Sequence, residues 1–251
     1  MYSKKKTQLN KEPINLTPRI GCQDMWNAFM VKDASFTYLS DIPVCPCTAV
    51  KPPLQLISYE DAKSLYKKEI KSGNSSFHNN AFIHFYIDDQ KFDGKRSSIW
   101  QDHDKALDII KHFAGIITPD FSTNADFPDP IKRYNTYRMR AFGYWITKND
   151  IPVINNVRWG TKETWSYCFD GIPKHSIVAI GTVASNLKHL SVRPNFEAGL
   201  IKMIEAIEPK TIIVYGSAHY PFFEVLKEQN ITIIAFPSKT SEAFARRKSY
   251  E

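Results

Sequence analysis

No stretch of this sequence approaches the roughly 20 consecutive apolar residues that a membrane-spanning helix needs. The opening MYSKKKTQLNKEP is basic but has no apolar run behind it, so no secretory signal is expected. A cytoplasmic chain with no membrane partner follows as the default. Cysteine is scarce: four residues in 251, at Cys22, Cys45, Cys47 and Cys168, do not suggest a disulfide scaffold. Cys45-Pro46-Cys47 is spaced too tightly for the usual zinc knuckle or redox pair. A metal held by these thiols with Cys22 and a histidine is the sharper reading, and reduced, partly buried thiols the simpler one. The familiar catalytic templates are also missing. There is no P-loop, GxGxxG, HExxH or GxSxG, and the seven histidines show no ligand spacing. Nothing resembles a helix-turn-helix or a zinc finger, and no short repeat is visible.

What is present describes an ordinary globular protein: 43% hydrophobic, 24% charged and 13% aromatic residues. The net charge of +7 can attract nucleic acid, nucleotides or another anionic partner. Part of that surplus lies in terminal runs, Lys4-Lys5-Lys6 and Arg246-Arg247-Lys248, which are commonly solvated tails. Residues 1–20 read as a flexible basic arm, and residues 21–251 as a single α/β domain.

After four prolines between residues 43 and 53, a rhythm begins. Helices are predicted over Tyr59–Lys71, Asp104–Phe113, Pro130–Lys148, Phe196–Ile207 and Pro221–Glu228, with short helical stretches at Glu163–Cys168 and Ser241–Arg247. Between them lie the apolar runs Ala81–Ile87, Gly115–Thr118, Pro152–Val157, Ser176–Thr182, Thr211–Tyr215 and Ile231–Phe236. Asp129 is placed to cap the third helix, with Pro130 in its first turn. Alternation of strand and helix, with strands apolar on both faces, predicts a mostly parallel sheet. A barrel-like, TIM-like closure is preferred over a doubly wound open sheet, with the first 58 residues supplying the missing strands.

In either architecture ligands sit at the carboxyl ends of the strands. Those ends carry Asp88-Asp89, then Pro119-Asp120-Phe121-Ser122, then Asn155-Asn156-Val157-Arg158-Trp159, then Thr182, Tyr215-Gly216-Ser217 and Ser238. The aspartates are the natural acid/base or metal candidates. On plainer readings Asp120 serves a cap or turn, Asp88 and Asp89 a solvated turn, Trp159 and Trp145 the core, and Gly216 a tight turn. The segment Lys132–Trp145 interleaves basic and aromatic residues. Helical spacing puts Tyr134, Arg138, Ala141 and Trp145 on one face, and Arg133 and Arg140 on another. Arg138 would then need an anion or a carboxylate, Asp120 being the nearest candidate. The same segment reads alternatively as a nucleic-acid face.

The strings IHFYIDD (83–89), ITPDFS (117–122), NTYRMR (135–140), YW (144–145), CFDGIP (168–173), SIVAIGTV (176–183) and VYG (214–216) follow one another in this order. Together they resemble an uncharacterised, domain-of-unknown-function family found in phages and mobile elements of Gram-positive bacteria. The likeness spans roughly residues 56–237. It implies a phage or mobile-element protein, cytoplasmic in a bacterial host, and supplies no reaction. The residues matching its pattern are Asp88, Asp89, Pro119, Asp120, Ser122, Asn135, Arg138, Arg140, Trp159 and Tyr215. Asn155-Asn156 depart from the Pro-Thr of relatives.

Two function classes result. The first is a hydrolase acting on a nucleotide, nucleic acid or other anionic substrate. Asp120 and Asp88 or Asp89 would be its catalytic carboxylates, compatible with one divalent cation. Arg138, Arg140 and Asn135 would hold the anion beside Ser122, and Trp159 and Tyr215 would line the pocket. The second is a non-enzymatic binding module gripping nucleic acid or a host protein, in replication, regulation or defence evasion.

Overall fold

A computed structural model describes residues 10–11, 24, 26–187 and 189–241. The basic arm lies almost wholly outside the described residues, as do Cys22, the Arg246-Arg247-Lys248 run and, past Ser241, the expected C-terminal helix.

The strand–helix rhythm is realised as seven parallel strands, each beside the next in the chain. They are β1 (Leu56–Ser58), β2 (Asn79–His84), β3 (Phe113–Ile117), β4 (Val153–Asn156), β5 (Ile177–Gly181), β6 (Thr211–Tyr215) and β7 (Thr232–Phe236). The connections carry α1 (Tyr59–Lys71), α2 (His103–Ile110), α3 (Asp129–Thr147), a 3₁₀ turn (Lys162–Ser166), α4 (Arg193–Ile207) and α5 (Pro221–Glu228). Crossovers that always step the same way, with the usual right hand, put every helix on one face of the sheet. The core agrees. One face of β2, β3 and β4 packs Ile83, Phe85, Ile116 and Val153 against α2 and α3. The same face of β5 and β6 packs Val178, Ile180, Ile212 and Val214 against α4 and α5. The opposite face carries Phe82, Ile117, Ile154, Ala179 and Ile213, and among the described residues Ala49 is the one buried apolar residue from outside the sheet packed with them.

The sheet curls into a half-barrel and does not close, which corrects the TIM-like expectation. Of the first 58 residues, those described supply one strand, β1, to the sheet. The segment just before it is spent differently. Where β4 and β5 part at their amino ends, residues 45–49 enter the split. The Thr48 amide donates to the Val153 carbonyl at 3.0 Å, and Thr48 Oγ1 accepts from the Val153 amide at 2.9 Å. Asn155 Nδ2 donates to the Cys45 carbonyl at 3.0 Å. At the open side, between β7 and β1, an ion pair joins Lys239 to Asp61 in the first turn of α1. Among the described residues no helix is long and apolar enough to cross a membrane.

The start of α3 is also corrected. Pro128 holds the cap position, and the Asp129 carboxylate accepts from the Tyr167 hydroxyl at 2.8 Å.

Candidate functional site

All seven strands run the same way, so their trailing residues gather on one rim, and a cleft of about 740 Å³ opens there. This lies within the usual range for small-molecule sites. Beyond β2 the chain continues through Phe85 and Tyr86 to Asp88, which is exposed, and Asp89, which opens a short 3₁₀ turn. Asp89 accepts from the Ser122 amide at 3.1 Å and from Ser122 Oγ at 3.0 Å. Burial raises its carboxyl above the ordinary value, outweighing the Ser122 hydrogen bonds and the more distant Arg158, and the Asp120 charge adds to the rise.

Beyond β3, Asp120 is clamped. Arg158 Nη1 approaches its Oδ2 at 2.6 Å, and Asn156 Nδ2 donates to Oδ1 at 2.8 Å. Asn156 is in turn fully engaged. Its Oδ1 accepts from the Tyr86 hydroxyl at 2.9 Å, its amide donates to Thr118 Oγ1 at 2.8 Å, and its carbonyl accepts from Arg140 at 3.0 Å. Arg158 uses its second nitrogen on Asn124 Oδ1 at 3.1 Å. Asp120 and Asp89 therefore share a cleft but not an environment.

The floor is aromatic. Tyr86 reaches across the concavity from β2 to stack on Tyr215 of β6, with centroids 5.2 Å apart and an interplanar angle of 11°. Gly181 permits the crossing, because a Cβ there would lie 2.8 Å from the Tyr86 ring. His84 lies 4.2 Å from Tyr215 and accepts the Tyr86 amide on Nδ1 at 3.2 Å, so that nitrogen is unprotonated. Burial, reinforced by the Lys239 charge, pushes the His84 pKa down to about 3. On the far wall Trp159 packs on Phe196, centroids 5.0 Å apart, and over Gly199. Thr123 is 3% exposed and lines the cleft, and its hydroxyl has no partner among the described residues.

Of the residues singled out in the sequence, Asp88, Asp89, Asp120, Ser122 and Trp159 line this cleft. Tyr215 lies beneath it, covered by Tyr86. Asn135 supports it from behind, donating to the Ser122 carbonyl at 2.5 Å. The two arginines are elsewhere. Arg138 pairs with Asp93 at 2.6 Å, not with Asp120, and its guanidinium lies 3.9 Å from the Phe121 ring. Arg140 is fully buried, with its three nitrogens on the carbonyls of Asp170, Asn156 and Cys168. Arg133 is held by Asp129 and stacks on Tyr167. Helix α3 thus presents no open row of arginines, and neither Arg138 nor Arg140 reaches an anion in the cleft. Among the described residues no three or more His, Cys, Asp or Glu side chains are grouped to hold a metal ion. Cys45 and Cys168 are buried, which pushes each thiol up to about 12 and leaves it unreactive.

The sequence reading placed Asn156 and Arg158 on the strand-end rim without giving them a role in the site, and it missed Tyr86 and Thr123. Arg158 sits two positions past β4 on the rim already identified. Tyr86 continues the alternation that puts His84 on the concave face.

A family model described as "Domain of unknown function (DUF4417)" matches residues 34–237. The chain is 31% identical over 142 residues to the Gene 1 protein of Mycobacterium phage L5, covering 57% of this chain and 60% of that protein. It is 30% identical over 138 residues to the Gene 1 protein of Mycobacterium phage D29, covering 55% of this chain and 49% of that one. It therefore spans about half the length of the curated relatives it matches. No solved structure matches it.

Proposed function

The chain belongs to the DUF4417 family, and from that premise we propose that the strand-end cleft is an acid/base site for hydrolysis of a small polar ligand in a phage-associated protein. One observation carries the reading: two carboxylates share a cleft in opposite electrostatic settings. Among the described residues Asp89 has no cation in contact, and burial favours its protonated form, whereas Asp120 is fixed by Arg158 and Asn156. Such a difference in setting separates a carboxyl free to transfer a proton from one committed to an ion pair. Asp89 gives or takes the proton at a water or leaving group, and Asp120 stabilises positive charge developing on the substrate.

The substrate end bound here is not a phosphate. Among the described residues the lining carries Asp88, Asp89 and Asp120 against the single, already paired Arg158, and no lysine. A phosphate would meet repulsion there, while a neutral ring with hydroxyl or amine donors would find acceptors, the Trp159 face and the free Thr123 hydroxyl. The nucleic-acid reading of α3 is not carried forward, because its arginines are engaged within the fold.

The test combines a titration with a ligand panel. Carboxyl carbon NMR of the full chain is expected to show one aspartate titrating above the ordinary range, absent in Asp89→Asn. Neutral nucleosides and glycosides are expected to raise the melting temperature where their monophosphates do not. Asp89→Asn is expected to keep binding and lose turnover of any cleaved ligand. An Asp89 that titrates as an exposed carboxyl would remove the proposal.

A further inference from the structure

A second groove of about 370 Å³ lies between α3 and the small hairpin Asp93–Ser98, and shares no lining residue with the main cleft. Its chemistry is the reverse of the first. It is lined by Arg138, Lys95 and Arg96, with Asp93 and Asp102 as its carboxylates. Both acids are engaged: Asp93 accepts from Arg138 and from Ser98 Oγ at 2.7 Å, and Asp102 pairs with Lys105. Lys95 and Arg96 at the hairpin tip are exposed and form no ion pair among the described residues. Lys63 brings a further cation to the hairpin, donating to Ser97 Oγ at 3.1 Å.

Arg138 is held unusually well for a side chain facing a groove. Its guanidinium rests on Phe121 and also faces Tyr134 at 5.3 Å and Trp100 at 5.8 Å. Nη1 is on Asp93, Nη2 is on Asn135 Oδ1 at 2.7 Å, and the buried Nε–H has no acceptor among the described residues. A planar fork fixed in this way is suited to an oxyanion. From the same guanidinium a continuous hydrogen-bonded path leaves for the main cleft. Asn135 takes Nη2 on its oxygen and donates its nitrogen to the Ser122 carbonyl, and Ser122 holds Asp89 by amide and hydroxyl.

We infer that this groove binds a small oxyanion between Arg138 and the Lys95-Arg96 tip, and that its occupancy is transmitted to Asp89 through Asn135 and Ser122. The anion competes with Asp93 for the guanidinium, and the shift in Arg138 is passed along Asn135 to the backbone that positions Ser122. The binding itself does not depend on what the main cleft does; only the importance of Asp89 rests on the proposed acid/base role.

The experiment is a ¹H–¹⁵N titration of the full chain with inorganic phosphate, a parallel arm with acetate, and sodium chloride at matched ionic strength. Saturable shifts are expected at Arg138 Nε–H and at the Ser122 amide with phosphate or acetate, and not with chloride. The arm that saturates at the lower concentration identifies the preferred oxyanion. Lys95→Ala combined with Arg96→Ala, both on an exposed turn, is expected to weaken binding about tenfold. Arg138→Lys keeps a charge but loses the fork, so the anion is still bound while the Ser122 response disappears. No saturable shift, affinity unchanged in the double variant, or a Ser122 amide that stays still as Arg138 responds would each overturn the inference. None of these outcomes alters the Asp89 titration in the absence of anion, so failure here is distinct from failure of the acid/base proposal.

Discussion

Replacing Arg140 by methionine tests whether this fold depends on one buried cation. The guanidinium is 0% exposed and makes no ion pair among the described residues; it donates at 3.2, 3.0 and 3.2 Å to the carbonyls of Asp170, Asn156 and Cys168. Burial lowers its pKa to about 10, so it remains charged at neutral pH. Methionine fills much of the volume but orphans three carbonyls. At about 1–3 kcal/mol each, the loss is roughly 3–9 kcal/mol. Against this stands the cost of burying the charge, several kcal/mol, which methionine recovers. The net expectation is a destabilisation of about 3 kcal/mol, a large part of a typical total of about 5–15 kcal/mol. Lysine should do no better, because a single ammonium lacks the planar fork that meets carbonyls on two separate segments. Urea unfolding measures this. With a slope of about 2–3 kcal/mol/M for a chain this size, the midpoint should fall by about 1 M at unchanged slope. An Arg140→Met protein as stable as the parent would refute the reasoning, since the carbonyls would then have found water or each other.

The wall and the floor of the cleft give two further predictions. In Gly199→Ala the new methyl collides with the Trp159 indole nitrogen. Trp159 should move toward the cleft, at about 1–3 kcal/mol of stability, with an altered tryptophan emission and weakened ligand binding; unchanged emission and affinity would count against the assigned wall. His84 gives a pH dependence whose sign is fixed. Its folded pKa of about 3 lies below the ordinary 6.5, so between those values the unfolded chain binds the extra proton. Stability should be complete above about pH 6.5 and decline as pH falls toward 3. His84→Gln should flatten that limb, and an acid limb identical in both proteins would assign it to other groups.

The strands were legible because a sheet covered by helices demands apolar runs, and Phe82–Tyr86, Val178–Ile180 and Ile212–Val214 are such runs. β1 was not, since three residues, Leu56–Ser58, carry too little pattern to stand out from the prolines before them. Closure was beyond reach for a related reason. It depends on whether the residues before β1 add strands to the sheet, and among the described residues 26–55 add none. At the rim, Asp88, Asp89, Asp120, Ser122 and Trp159 followed from strand direction alone. Arg138 did not, because its partner Asp93 comes from a hairpin of two-residue strands that no periodicity marks. Arg140 did not either: spacing put it on a different face from Arg138 without saying that this face was the interior.

The entry of residues 45–49 between β4 and β5 has a bearing on how the molecule is assembled. Every other union in the sheet is between neighbours in the chain, so the strands can add one after another as a growing curl. The Thr48–Val153 and Cys45–Asn155 contacts join positions 105 and 110 residues apart, and have no site to enter until half the sheet exists. Material that emerges first is thus seated late, like a keystone cut early and set once the arch is standing. Until then the inner lining of Ile154 and Ala179 faces water.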